Sequence, residues 1–297
     1  MTVTILEGNV LETLKGVPSC SVQCAVTSPP YYGLRDYGVE GQIGLEPSPE
    51  AYVEQLLNVF REVYRVLKDD GTLWLNLGDG YNGSGQKTNQ GSLIDRPARV
   101  NGLKPKDLIG IPWMVAFALR ADGWYLRQDI IWAKPNPMPE SVTDRCTKAH
   151  EYIFLLSKSK TYYYNQEAIL EPYSNSLDRW GCDFTRLVKS PKENQGNPVS
   201  LNRERNMRPN PNGRNKRSVW TVTTKPYKGA HFATFPPDLI EPCILAGSKE
   251  DDTVLDPFSG SGTTGEVSIK HNRHYIGCEL NPDYVKLTER RLSKVQP

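Results

Sequence analysis

Short apolar runs, cut off by glycine or proline, alternate with stretches of helical period along most of the chain. Val3–Leu6 reads as a first strand. Val22–Thr27 reads as a second, ending at Ser28-Pro29-Pro30 because proline has no amide to give to a sheet. Pro49–Leu67 carries Val53, Leu56, Leu57, Phe60, Val63, Val66 and Leu67 at helical spacing, with Ser48 as N-cap and proline at the first helical position. Asp70-Gly71 reads as a turn, Thr72–Leu77 as a strand and Asp107–Ala121 as a helix. Trp124–Trp132 and Tyr152–Ser157 follow as strands, the latter with a hairpin partner at Thr161–Tyr164. After an irregular stretch, the pattern resumes with a helix at Pro236–Ala246, a strand at Thr253–Leu255 and a helix at Thr263–Lys270. A strand at His274–Cys278 and a helix from Pro282 to Ser293 complete it. Strands alternating with helices predict an α/β fold built on a mostly parallel sheet, whose ligands bind at the carboxyl ends of the strands.

Two stretches break the pattern. Residues 78–106 are long, polar and glycine-containing, which in a compact domain marks a functional loop. Residues 165–230 are polar, basic and rich in asparagine. Within residues 171–228 stand twelve Lys/Arg against five acids, although the whole chain of 297 residues has a net charge of only +2. That local excess is sufficient to attract phosphates, and Arg203, Arg205, Arg208, Arg214, Lys216 and Arg217 are its centre. A solvated loop would have the same composition.

With 38% hydrophobic and 24% charged residues the chain reads as globular. No apolar run approaches the roughly 20 residues of a membrane span. The N-terminus has neither the basic start nor the apolar core of a signal peptide, so a cytoplasmic location is expected. The six cysteines form no C-x-x-C pair, so no zinc ribbon or disulfide scaffold is expected. His271, His274 and Cys278 are read as solvated or core residues, and no metal is expected.

Two motifs carry chemistry, and both follow strand ends. Asp256-Pro257-Phe258-Ser259-Gly260-Ser261-Gly262-Thr263-Thr264-Gly265 lies between a strand and a helix, and Glu279 ends the next strand. Glycines let the backbone turn tightly and let a ligand come close, while an acid at the second strand end can hold two ribose hydroxyls. The set suggests an adenosine-containing cofactor. No Lys-[Ser/Thr] pair follows the glycines, against a P-loop. The spacing Gly260-x-Gly262-x-x-Gly265 also fits a nicotinamide cofactor, so the companion motif has to decide. That companion is Ser28-Pro29-Pro30-Tyr31. The prolines fix the Pro29 carbonyl, the Ser28 hydroxyl lies beside it as a second acceptor, and Tyr31 offers a face for stacking. Two rigid acceptors can hold both hydrogens of a planar amino group. Tyr32 and Trp132 are weaker stacking candidates, with a core role favoured for Trp132.

Together the two motifs resemble the DNA amino-methyltransferases of the permuted beta group. There a [D/N/S]-P-P-[Y/F/W] tetrapeptide comes first, a target-recognition region follows, and the D-P-F-x-G-x-G-T cofactor motif comes last. The resemblance implies a Rossmann-like, seven-stranded methyltransferase sheet, circularly permuted, with an inserted target-recognition region. Residues 1–164 would form the catalytic part, 165–230 the recognition region and 231–297 the cofactor part. Val3–Leu6 would be the family's third strand and the strands from 22 to 157 its fourth to seventh. The two C-terminal strands would be its first and second, and the seventh would run antiparallel.

The resemblance further implies S-adenosylmethionine as cofactor, held by Asp256, Pro257, Phe258, Ser259, Gly260, Gly262, Thr263 and Glu279, with Asn9 where relatives often carry an acid. His231–Leu245 would line its methionine end. It implies double-stranded DNA as partner and no membrane. Methyl transfer to an exocyclic amino nitrogen would use Ser28, Pro29, Pro30 and Tyr31. Serine at the first motif position favours N4 of cytosine over N6 of adenine. Methylation of RNA or of protein glutamine is disfavoured by the order of the motifs. No cysteine step is needed, and no nuclease site is seen.

Overall fold

A computed structural model describes residues 1–83, 103–173, 210, 212–225 and 235–295. The strands are β1 (Val3–Glu7), β2 (Val22–Thr27), β3 (Leu67–Leu77), β4 (Tyr125–Ala133), β5 (His150–Ser157), β6 (Val219–Thr221), β7 (Thr253–Asp256) and β8 (His274–Glu279). The helices are α1 (Val10–Thr13), α2 (Pro49–Val66), α3 (Ile111–Ala121), α4 (Pro237–Gly247), α5 (Thr263–Lys270) and α6 (Pro282–Leu292).

Among the described residues, eight strands form one sheet, in the order β1-β8-β7-β2-β3-β5-β4-β6. The C-terminal strands β7 and β8 therefore lie between β1 and β2. Every pairing is parallel except those of β5, which is antiparallel to both β3 and β4. This direction has a chemical consequence: the carboxyl ends of the parallel strands and the amino end of β5 share one edge. Glu7, Thr27, Leu77, Ala133, Asp256 and Glu279 end their strands there, and His150-Glu151 begins β5 beside them.

The core forms where the predicted apolar faces meet. β2 is buried along its whole length. α2 covers the sheet with Val53, Leu56, Val59, Phe60 and Val63, and its Ser48 Oγ caps the Ala51 amide at 3.2 Å.

Four features depart from the pattern read in the sequence. The sheet has eight strands rather than seven, because Val219–Thr221 adds to β4. Three residues with one buried side chain carry too short a period to announce a strand. β3 begins at Leu67: Asp70-Gly71 is not a turn between elements but part of an irregular insert, seen as a register shift from Val22↔Leu67 to Cys24↔Thr72. α3 begins at Ile111 rather than Asp107. Gly110 is left-handed at φ 85°, and the distant Asp79 carboxylate accepts from the Gly110 and Ile111 amides at 3.0 and 3.2 Å. Thr161–Tyr164 forms no strand; Tyr164 stacks on Trp74 instead.

The chain divides into two compact units, 1–165 with 218–297, and 166–217. In the smaller one, Arg214, Lys216 and Arg217 gather around the Glu171 carboxylate at 3.7, 3.7 and 3.3 Å. Arg203, Arg205 and Arg208, like most of the 78–106 loop, lie outside the described residues. Among the described residues no helix is long and apolar enough to cross a membrane.

Candidate functional site

Both motifs open into one cavity of about 720 Å³ at the carboxyl edge of the sheet. Ser28, Pro29, Pro30 and Tyr31 line it from the end of β2. Asp256, Pro257, Phe258, Ser259, Gly260, Thr263 and Glu279 line it from β7, α5 and β8, and Asn9 from the loop after β1. Of the residues read as binding the cofactor, Gly262 alone does not line it. The motifs are joined directly: Thr27, the last residue of β2, donates through its hydroxyl to Asp256 Oδ1 at 2.6 Å.

The glycine-rich half is a rigid cradle. Asp256 also accepts from the Thr264 hydroxyl at 2.7 Å and the Phe258 amide at 3.0 Å, which fixes the turn out of β7. Burial, only partly offset by these donors, pushes its carboxyl up to about 6. Gly260 and Gly262 are left-handed, at φ 53° and 76°. A Cβ on Gly262 would stand 2.6 Å from Thr288 Cγ2 in α6, so the loop packs there against the helix. A Cβ on Gly260 would meet nothing nearer than Phe258 O at 3.9 Å, and Gly260 therefore leaves its space to the cavity. Glu279 accepts from the Gly260 amide through one oxygen and the Asn281 amide through the other, both at 2.8 Å. Burial raises its carboxyl above the ordinary range. Each of its oxygens keeps a further lone pair for a hydroxyl donor. Asn9 caps α1 by accepting from the Leu11 amide at 2.9 Å.

The other half is a polar cluster. Tyr52 donates to the Pro30 carbonyl at 2.7 Å and pins the proline turn. The Tyr31 ring lies over Gly78, where a Cβ would come within 2.5 Å of its Cε2. Its hydroxyl reaches Glu151 Oε2 at 2.7 Å. Asn76 Nδ2 donates to Tyr31 Oη at 2.7 Å and to Glu151 Oε2 at 3.0 Å. The Ser28 hydroxyl donates to Tyr31 Oη at 3.3 Å. Lys134, whose ammonium lies 4.2 Å from the centre of the Trp132 ring, pairs with the second Glu151 oxygen. Burial first, and then the Glu151 charge, raise the Tyr31 phenol well above its usual value, so it keeps its proton.

Asn76, Lys134 and Glu151 were not singled out in the sequence, although a signal was there. Asn76 is the lone polar residue in Leu73–Leu77, while Lys134 follows the end of β4 and Glu151 stands at the start of β5 on the same edge. Trp132 is buried, donates to the Val222 carbonyl at 2.8 Å and also lines the cavity. Tyr32 packs on Tyr52 and is not part of the lining. Of the segment 231–245, Phe235 lines the cavity and residues 236–245 do not, since they enter the buried helix α4; 231–234 lie outside the described residues. Cys24 and Cys278 are buried, which pushes both thiols up to about 12 and makes them poor nucleophiles. His271 pairs with Glu241, and His274 accepts from the Thr2 amide.

Comparison with known proteins is consistent along the whole chain. The profile of a family described as DNA methylase matches residues 22–290. The type II methyltransferase M.Cfr9I of Citrobacter freundii is 49% identical over 296 residues, covering 97% of this chain and 87% of its own. Among solved structures, the PvuII DNA methyltransferase, described as cytosine-N4-specific, superposes with a TM-score of 0.65 at 21% identity, covering 98% of this chain and 86% of its own. A putative DNA modification methylase of Thermus thermophilus, solved with S-adenosyl-L-methionine, does so with a TM-score of 0.62 at 24% identity, covering 99% and 95%.

Proposed function

This chain belongs to the DNA methylase family, and from that premise we propose that it transfers a methyl group from S-adenosylmethionine to the N4 amino nitrogen of cytosine in double-stranded DNA. The observation that carries this reading is the single cavity lined by both Ser28–Tyr31 and the Asp256–Gly260 turn. The order of the motifs, with β7 and β8 between β1 and β2, supports the permuted beta-group type.

The cradle fits the cofactor. Gly260 leaves room for it, and Glu279 offers two carboxylate oxygens to a ribose diol inside the cavity. S-adenosylmethionine supplies an electrophilic methyl group on a sulfonium. The chain's own residues do the rest. The amino nitrogen of a base is a poor nucleophile because its lone pair is delocalised into the ring. Ser28 Oγ and the Pro29 carbonyl accept its two hydrogens, favour a pyramidal nitrogen and aim the lone pair across the cavity. Much of the rate gain is positional. The base reaches this pocket by leaving the duplex stack. Residues 165–230 hold phosphates and read base edges, with Arg203, Arg205, Arg208, Arg214, Lys216 and Arg217 as the DNA-binding set.

Serine at position 28 supports cytosine over adenine. Plasmid DNA treated with the protein and S-adenosylmethionine, then digested to nucleosides for mass spectrometry, tests the reading. N4-methylcytosine is expected. N6-methyladenine would overturn the base assignment, and unmodified DNA the function.

A further inference from the structure

Resting on that reading, we propose that Ser28, Tyr31 and Glu151 form a proton relay that carries the surplus proton of the methylated amino group from the cavity to the Glu151 carboxylate.

The direction of the chain is fixed by the chemistry of its ends. A carboxylate only accepts, so the 2.7 Å contact between Tyr31 and Glu151 is a donation by the phenol. An amide nitrogen only donates, so Asn76 Nδ2 gives a hydrogen to Tyr31 Oη at 2.7 Å. The same nitrogen faces Glu151 Oε2 at 3.0 Å, which fixes the orientation of the amide. With its own proton spent on Glu151, the tyrosine oxygen can only accept from Ser28. The Ser28 hydroxyl hydrogen is thereby turned toward Tyr31; one of its lone pairs faces Asn76 Nδ2 at 3.4 Å, and the other is left for an amino hydrogen of a base. At 3.3 Å this first link is the longest of the chain, against 2.7 Å for the second. Lys134 holds the far carboxylate oxygen and keeps Glu151 on station. Sequence distance conceals the relay, since it joins the turn after β2 to the start of the antiparallel strand β5.

The step balances. Methyl transfer forms the N–C bond, breaks the S–C bond and leaves a positive charge on the amino nitrogen. The N–H electron pair then stays with nitrogen as its proton passes to Ser28 Oγ. The Ser28 proton passes to Tyr31 Oη, and the Tyr31 proton to Glu151 Oε2. Serine and tyrosine end as they began, and the carboxyl carries the proton. Before it moves, the same chain strengthens Ser28 as an acceptor, so it stabilises the developing charge as well as removing it.

Single-turnover methylation of a duplex carrying a site mapped with the wild type tests this on the full chain. Binding of S-adenosylmethionine and of DNA is measured separately. Y31F keeps the ring and removes the hydroxyl; E151Q keeps the shape and removes the base. Each is expected to slow transfer at least tenfold, with cofactor affinity within twofold of wild type. The double variant is expected to be no slower than the worse single one, because both changes cut one chain. Wild-type speed in Y31F would overturn the relay. So would a loss in E151Q matched by lost cofactor affinity or a multiplied loss in the double variant, since these mark a structural role. A wild type that methylates no DNA would overturn the function itself, and the relay with it, before any variant is compared.

Discussion

Asp256 is 1% exposed, yet it sits where the two halves of the site join. Burial raises its carboxyl to about 6, whereas an aspartate in an unfolded chain titrates near ~3.9. Between those values the folded state holds a proton that the unfolded state has released. Stability therefore falls as pH rises through that window, and above it the full cost remains, on the order of 3 kcal/mol. Asp256→Asn removes the charge and keeps the shape. Its Oδ1 can still accept from Thr27 and the Phe258 amide. Its amide can donate to Thr264 Oγ1, whose own proton has the Val26 carbonyl at 3.3 Å as an alternative. The expected outcome is a melting temperature several degrees above wild type near pH ~7.5, with the gap closing toward pH ~4. Thermal melts at both values check it; a variant less stable than wild type at the higher pH would show that the charged hydrogen bonds outweigh the burial. The aspartate's neighbourhood was partly legible. Its motif was readable because glycines and an acid at fixed spacing leave a local trace. Its tie to Thr27 was not, nor was the Asn76–Glu151–Lys134 cluster. Those contacts depend on strand order and on the antiparallel direction of β5, which single polar residues do not encode.

At the scale of elements, α6 is the clasp of the glycine turn. Arg291 donates to the Ser261 carbonyl at 3.0 Å and the Thr263 hydroxyl at 3.0 Å while pairing with Glu266. Thr288 donates to the Gly260 carbonyl at 2.8 Å. Thr288 also sits where a side chain on Gly262 would go, so two separate costs meet at that glycine. The left-handed backbone strains any other residue by about 1–3 kcal/mol, and Thr288 Cγ2 adds a clash. Gly262→Ala is expected to lower both the melting temperature and the affinity for S-adenosylmethionine. Adding Thr288→Ser, which deletes the methyl group and keeps the hydroxyl, should restore part of the loss and not all of it. Full restoration would mean that the backbone carries no strain; no restoration would mean that the helix gives way freely. Most elements of this layer were legible because their apolar period is long and their ends are marked, as with Ser48-Pro49 before α2. The start of α3 was not, because its cap, Asp79, comes from another part of the chain. β6 was not, because its strand character comes from pairing with β4 and not from its own three residues.

For the whole molecule, a net charge of +2 gives little reason to bind a polyanion, whereas the stretch from 171 to 228 gives a strong one. Part of that charge is already committed inside the smaller unit, where Arg214, Lys216 and Arg217 share the single carboxylate of Glu171. Arg203, Arg205 and Arg208 belong to the same basic stretch and supply the rest of the proposed contacts. If each neutralises one phosphate, binding releases one condensed counterion per arginine, and affinity falls with salt at a slope near 0.9 for each contact. Replacing all three by alanine should therefore weaken DNA binding at low salt and make the log–log salt slope shallower by about 3. Titrations of a duplex over a series of salt concentrations give both numbers, and affinity for S-adenosylmethionine, whose proposed cavity lies in the larger unit, serves as the control. Weaker binding with an unchanged slope would mean that these arginines shape the recognition region instead of touching phosphates. An unchanged affinity would remove them from the interface.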